Sequence, residues 1–182
     1  QYGPRIKAGA VYLQTYHRLP YERVVAVLHD LFGVAPSEGT LANAQMLAYT
    51  RLEPVEQATR AALRRTDVLH TDETGIRVAG RTAWAHVVST ALLTYYAYHT
   101  KRGREAIRAM GVLIDFAGRR VHDAWAAYLG LPGAYALCNA HLLRELIGLH
   151  EDTGQAWIAP LIHLLRTIYT AVTDAQAAGQ TA

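Results

Sequence analysis

The stretch V-L-H-T-D-E-T-G-I-R-V, Val68–Val78, decides how the rest of the chain is read. Its apolar and β-branched residues alternate with polar ones in the manner of a β-strand. The strand carries a carboxylate pair, Asp72 and Glu73, towards a break expected at Gly75. Acidic residues are depleted in strands and are almost never fully buried without a partner. A carboxylate delivered by a strand therefore needs a chemical reason, and a hard cation is the commonest one.

Downstream, Ala79-Gly80-Arg81 reads as a tight turn, and Thr82–Thr90 as a second strand with Trp84, His86 and Val88 on one face. Leu92–Thr100 reads as a third strand, so the three form an antiparallel meander. Arg102–Met110 has a helical pattern. Arg119–His122 is a short strand that delivers Asp123. Ala124–Leu129 is a short helix or turn, Ala134–Cys138 a fifth strand, and His141–His150 a helix with Asn139 as a candidate cap. A last helix is expected over Ala156–Ala178, interrupted at Pro160. The expected fold class is α/β, a mixed five-stranded sheet with flanking helices, and the element order is that of the ribonuclease-H-like fold. The right-handed crossover rule sets the strand before Asp123 parallel to, and beside, the strand before Asp72. The two carboxylates would then face each other. Close anions repel unless a cation lies between them, and Mg²⁺ or Mn²⁺ suits oxygen ligands. In the alternative reading each Asp caps the turn that follows it.

Upstream, residues 4–65 read as all-helical. Pro4 suits a first helical position, Pro20 restarts the pattern, Gly33 is a C-cap candidate and Ser37 an N-cap candidate. A third helix is expected to about Leu52, and Pro54 to open a fourth. Helix, short turn and S-E-G-T-L have the outline of a helix-turn-helix, with residues 38–50 as recognition helix and Ser37, Thr40, Asn43 and Gln45 as its polar residues. A plain helical bundle fits the same residues. The domains expected are 1–65, helical, and 66–182, containing the sheet.

The net charge of +3 resides wholly in the N-terminal third, the side expected to meet an anionic polymer. The single cysteine, Cys138, excludes an internal disulfide and fits a reducing cytoplasm. No apolar run approaches the roughly 20 residues of a membrane span, and Gln1–Lys7 is unlike a signal peptide. A chain starting with Gln rather than Met is expected to be a fragment of a longer protein, or a processed or trimmed one.

Several further side chains invite attention. Cys138 and His141 have the spacing of half a zinc site, but a buried thiol beside a hydrogen-bonding histidine is expected. His70 and His122 precede the two aspartates, and hydrogen bonding within the sheet is expected for them. Trp125 and Tyr128 suit base stacking or core packing. Lys101, Arg102 and Arg104 form a basic turn that suits a phosphate contact or simple solvation.

The segments H-T-D-E-T-G-I-R-V, K-R-G-R-E-A, V-H-D-A-W-A-A-Y and A-L-C-N-A-H-L-L-R-E-L, with Y-G-P-R-I-K-A, L-P-Y-E-R and S-E-G-T-L before them, resemble the central part of transposases of the sixty-six family of bacterial insertion sequences. The resemblance runs in matching order from Tyr2 to about Tyr169. It implies a DDE-type transposase that cleaves DNA strands and transfers them with two metal ions, Mg²⁺ or Mn²⁺. Transposon ends and target DNA would be its partners, in a homo-oligomeric complex. Its first two acidic metal ligands map onto Asp72 and Asp123. For the third, Glu145 is the candidate by position, while the likeness of C-N-A-H-L-L-R-E-L to the element preceding an insertion favours a Glu beyond Ala182. A chain so truncated is expected to be inactive alone; the alternative is a non-catalytic helix-turn-helix DNA-binding or assembly remnant of a transposase.

Overall fold

Pro4 starts the first helix, α1 (Pro4–Thr15), in a computed structural model that describes residues 2–180. Pro20 stands at the N-cap of α2 (Tyr21–Phe32), and Gly33 ends that helix with a left-handed φ of 66°. A four-residue link follows, in which Ser37 Oγ accepts the Thr40 N–H at 3.3 Å. The third helix, α3 (Glu38–Leu63), runs straight through Pro54, so the fourth helix expected from Pro54 is a continuation of the third. Pro54 removes one donor, and the long uninterrupted helix absorbs that loss. Ala10, Val24, Leu28 and Leu41 are the buried centre where α1, α2 and the start of α3 meet.

Residues 1–58 and 59–182 form two compact units. The division falls after Ala58, where the residue pattern placed it after Arg65, because the last turns of α3 belong with the sheet. Leu63 is fully buried in the sheet unit's core, and the Arg60 guanidinium donates to Tyr95 Oη at 2.6 Å.

The sheet unit contains β1 (Val68–Val78), β2 (Arg81–Ser89), β3 (Thr94–His99), α4 (Arg104–Met110), β4 (Arg119–His122), α5 (Ala126–Leu129), β5 (Tyr135–Leu137), α6 (Asn139–Thr153) and α7 (Ile158–Ala177). The strand order is β3-β2-β1-β4-β5. The first three strands are antiparallel, while β4 and β5 run parallel to β1. The expected break at Gly75 is absent. Trp84 lies opposite Gly75, and its ring sits 3.8 Å from where a Cβ would be. The indole thus covers backbone that a glycine leaves bare. Pro160 likewise lies within α7 rather than interrupting it, in the first turn, where no intrahelical N–H bond is lost.

Alternation gives the sheet two faces. Leu69, Val88 and Tyr95 pack with Ile107 and Met110 of α4 and Tyr128 of α5 in the main core. Register puts Thr71, Glu73, Trp84 and His86 on that same side. His70, Asp72, Val87 and Val121 point to the opposite side. Arg120, wholly buried, reaches Leu131 O at 3.3 Å with Nη2, and its Nε and Nη1 have no protein partner. Burial holds its pKa below the usual guanidinium value. No described helix is long and apolar enough to cross a membrane.

The hairpin joining β1 to β2 turns on Ala79 and Gly80, with φ of 49° and 76°. Two successive positive φ values suit a type I′ turn, which favours Asn-Gly. An alanine in the left-handed region is strained by about 1 kcal/mol. Ala79→Asn is therefore expected to raise stability by up to about 1 kcal/mol, read as a higher urea midpoint with unchanged slope.

Candidate active site beside β1 and the carboxyl end of β4

The β1–β4 ladder pairs Val68 with Arg119, Leu69 with Arg120 and His70 with Val121. Its offset of 51 positions also separates Asp72 from Asp123. The aspartates lie two positions beyond the last pair, each at the same step along its own strand. The β4–β5 ladder pairs Arg120 with Tyr135 and His122 with Leu137, and its own offset sets Cys138 opposite Asp123. Asp123 and Cys138 follow the carboxyl ends of β4 and β5, where ligand sites in α/β sheets commonly lie, and Asp72 lies at the corresponding step of β1, within the strand.

A cavity of about 140 Å³ is lined by His70, Asp72, Val87, Val121, Cys138 and His141, among others. A smaller one is lined by Asp123, Leu142, Glu145 and again Cys138 and His141. The two aspartates thus share a Cys–His wall, and Glu145 flanks Asp123. Asp72 is about half exposed, and His141 Nε2 lies 3.8 Å from its Oδ2. Its Oδ1 accepts the Glu73 N–H at 2.9 Å. Asp123 Oδ1 accepts the Trp125 N–H at 3.0 Å, which is the turn-capping bond. Each aspartate keeps its second carboxylate oxygen free of hydrogen bonds from the described residues. Hard oxygen donors of this kind fit Mg²⁺ or Mn²⁺. No group of three or more His, Cys, Asp or Glu side chains among the described residues is gathered closely enough to enclose a metal ion.

Burial pushes the Cys138 thiol up, and contacts with His141 and with the backbone N–H groups of Ala140 and His141 outweigh it, so the thiol lies below its usual range. The Cys138 sulfur beside it raises the His141 imidazole against the effect of burial, and the Asp72 charge adds to the rise. Alkylation of Cys138 by iodoacetamide is therefore expected to start at a lower pH than for a free thiol, because the thiolate is the reactive form. In His141→Ala the profile is expected to move up in pH; an unmoved profile would break the pairing.

His70, expected to hydrogen-bond within the sheet, is exposed at the cavity instead. His122 is buried, with its ring near those of Tyr128 and Tyr135, and its Nδ1 donates to the Asp123 carbonyl at 2.5 Å. In the helical unit, Gln45 accepts the Tyr21 hydroxyl at 2.9 Å. That bond occupies one of the four polar residues expected on a recognition helix.

Arg102 is the side chain that residue order placed least well. It is neither a free phosphate contact nor a solvated loop residue. Its Nε and Nη2 both donate to Glu73 Oε1, at 2.8 and 2.7 Å, and the Glu73 side chain is 1% exposed. The guanidinium lies over the rings of Trp84 and Trp125, 4.9 and 4.3 Å from their centroids. Tyr128 donates its hydroxyl to Glu73 Oε2. Burial, reinforced by that carboxylate, holds the phenol protonated far above its usual range. A signal was present: in a period-two strand, the neighbour of a cleft-facing aspartate points into the core and needs a cation there.

A model of the family described as Transposase IS66 family matches residues 1–182. No curated protein sequence matches the chain. Among solved structures it is similar to a chain of the cryo-EM structure of the simian T-cell lymphotropic virus intasome in complex with PP2A regulatory subunit B56 gamma. The identity is 10% and the TM-score 0.32, over 86% of this chain and 64% of that one. With the family model spanning its whole length, the chain belongs to the IS66 family of transposases.

Proposed function

We propose that the protein is a DNA transposase of the DDE type, acting in the cytoplasm, with a ribonuclease-H-like sheet whose Asp72 and Asp123 hold Mg²⁺ or Mn²⁺. The observation that carries this reading is the parallel β1–β4 pairing, whose 51-residue offset also separates the two aspartates. Strand order β3-β2-β1-β4-β5 and family membership support it. When bound, the metal activates an attacking oxygen and stabilises a leaving one at a phosphodiester. The protein's part is placement. Asp72 is fixed by β2 pairing through Val87, and Asp123 by the turn it caps. His141 lies 3.8 Å from Asp72 Oδ2, where its imidazole can meet a phosphate. Transposon ends and target DNA are the proposed partners, in a homo-oligomeric complex. The helix-turn-helix reading of residues 38–50 remains part of this proposal, with Asn43 exposed on that face.

Calorimetric titration with Mn²⁺ tests the metal site. Asp72→Asn and Asp123→Asn are each expected to weaken binding by about 100-fold, since each removes a charged ligand that carries its own shell of partners. Equal binding in wild type and both variants would end the reading. Glu145→Ala is expected to leave the affinity unchanged; a loss as large as that of the aspartates would install Glu145 as the third ligand.

A further inference from the structure

We infer that Arg102 is a positioning residue that fixes the Asp123 turn against β1 where the β-ladder no longer does so, an inference that rests on the proposed role of the two aspartates. The last β1–β4 pair is His70 with Val121. Asp72 and Asp123 lie beyond it, and β1 continues to Val78 paired only with β2. Backbone hydrogen bonding therefore leaves the spacing of the two carboxylates open.

The Arg102 cluster closes that gap from the opposite face. Glu73 is the chain neighbour of Asp72, and Trp125 gives its N–H to Asp123. The Arg102 guanidinium bonds the first and stacks on the ring of the second. Tyr128, five residues past Asp123 on α5, bonds the same Glu73 carboxylate and meets Trp125 edge-on, centroids 5.3 Å apart. Two segments, each carrying one aspartate, are thus tied to one guanidinium, with Trp84 of β2 closing its other face. A flat cation with donors along one edge can fill this place, and an ammonium cannot stack in the same way. Arg102 also neutralises Glu73, so the carboxylate behind Asp72 adds no net charge to the cleft.

The test is a Mn²⁺ titration of the full chain, followed by the free-ion electron paramagnetic resonance signal, with hydrogen exchange on the metal-free protein. Arg102→Lys keeps a charge for Glu73 and loses the stack. It is expected to weaken Mn²⁺ binding about tenfold, as loss of an outer partner of a metal ligand typically does, and to speed exchange over residues 123–128 while 68–71 stay protected. Ile162→Ala, in the α6–α7 cluster, supplies a loss of stability elsewhere and is expected to bind Mn²⁺ like wild type. Wild-type affinity in Arg102→Lys overturns the inference, and so does equal weakening in Ile162→Ala. If Arg102→Lys fails to fold, Glu73→Gln makes the same comparison. Failure of the metal reading itself appears elsewhere, as equal binding in wild type and Asp72→Asn. In that event exchange decides alone: unchanged rates at 123–128 overturn the positioning role, and faster rates there sustain it.

Discussion

Gly118→Ala is expected to destabilise the sheet unit by about 3 kcal/mol, at the upper end of what overpacking a well-filled site costs. Gly118 precedes β4, and an added Cβ would lie 2.5 Å from Asp67 O, 2.8 Å from Thr66 O and 2.6 Å from the Phe116 ring. The ring can shift; the two carbonyls are backbone. Asp67 O also accepts the Arg119 N–H at 2.8 Å, the contact that starts the parallel pairing of β4 with β1. The methyl group would push these strands apart at the point from which both aspartates take their alignment. Thermal unfolding by circular dichroism checks the stability. Unfolding with a midpoint within a degree or two of wild type would show that the segment gives way without cost.

Arg102→Met carries the second large effect, a loss of about 3 kcal/mol. Removing one partner of a buried ion pair leaves the other charge uncompensated, which costs about 3–5 kcal/mol. The lower figure applies because Arg102 is 41% exposed, whereas Glu73 is almost wholly enclosed. Much of the cost lies in the stranded carboxylate rather than in the lost bond. The double variant Glu73→Leu/Arg102→Met, which removes both charges, is therefore expected to recover most of the stability. Urea unfolding of the wild type, both single variants and the double variant gives the coupling directly. Losses that simply add would refute the charge argument.

The sheet was legible in the residues because strand texture and turn residues agree from Val68 to Leu137. β4 falls on Arg119–His122 in the sequence pattern and in the structure alike. Asp72 and Asp123 stood out in the residues because each follows strand-like sequence and because the chain resembles its family there. Other features were hidden for physical reasons. Proline usually ends or kinks a helix, yet α3 carries Pro54 within its 26 residues. Gly75 reads as a break only while its cross-strand neighbour Trp84 is unknown. Arg102 reads as a surface charge because no local pattern shows that Glu73, 29 positions earlier, lies within reach. Pairings of that kind belong to the tertiary structure, and only the period-two rule hinted that Glu73 would need one.

Adjacent acidic residues on opposite faces of one strand also constrain how this gene can change. Losing or gaining a single codon between Leu69 and Asp72 would rotate the strand by one step. Glu73 would then face the cleft and Asp72 the indole-lined core, exchanging two carboxylates of different length and opposite purpose. The loop residues 90–93 connect strands whose register is set by backbone pairing, so they can vary in length more freely, whereas 111–118 supplies Val112, Leu113 and Phe116 to the main core. Surviving insertions and deletions in related genes should therefore gather in 90–93 and avoid the four residues from Leu69 to Asp72.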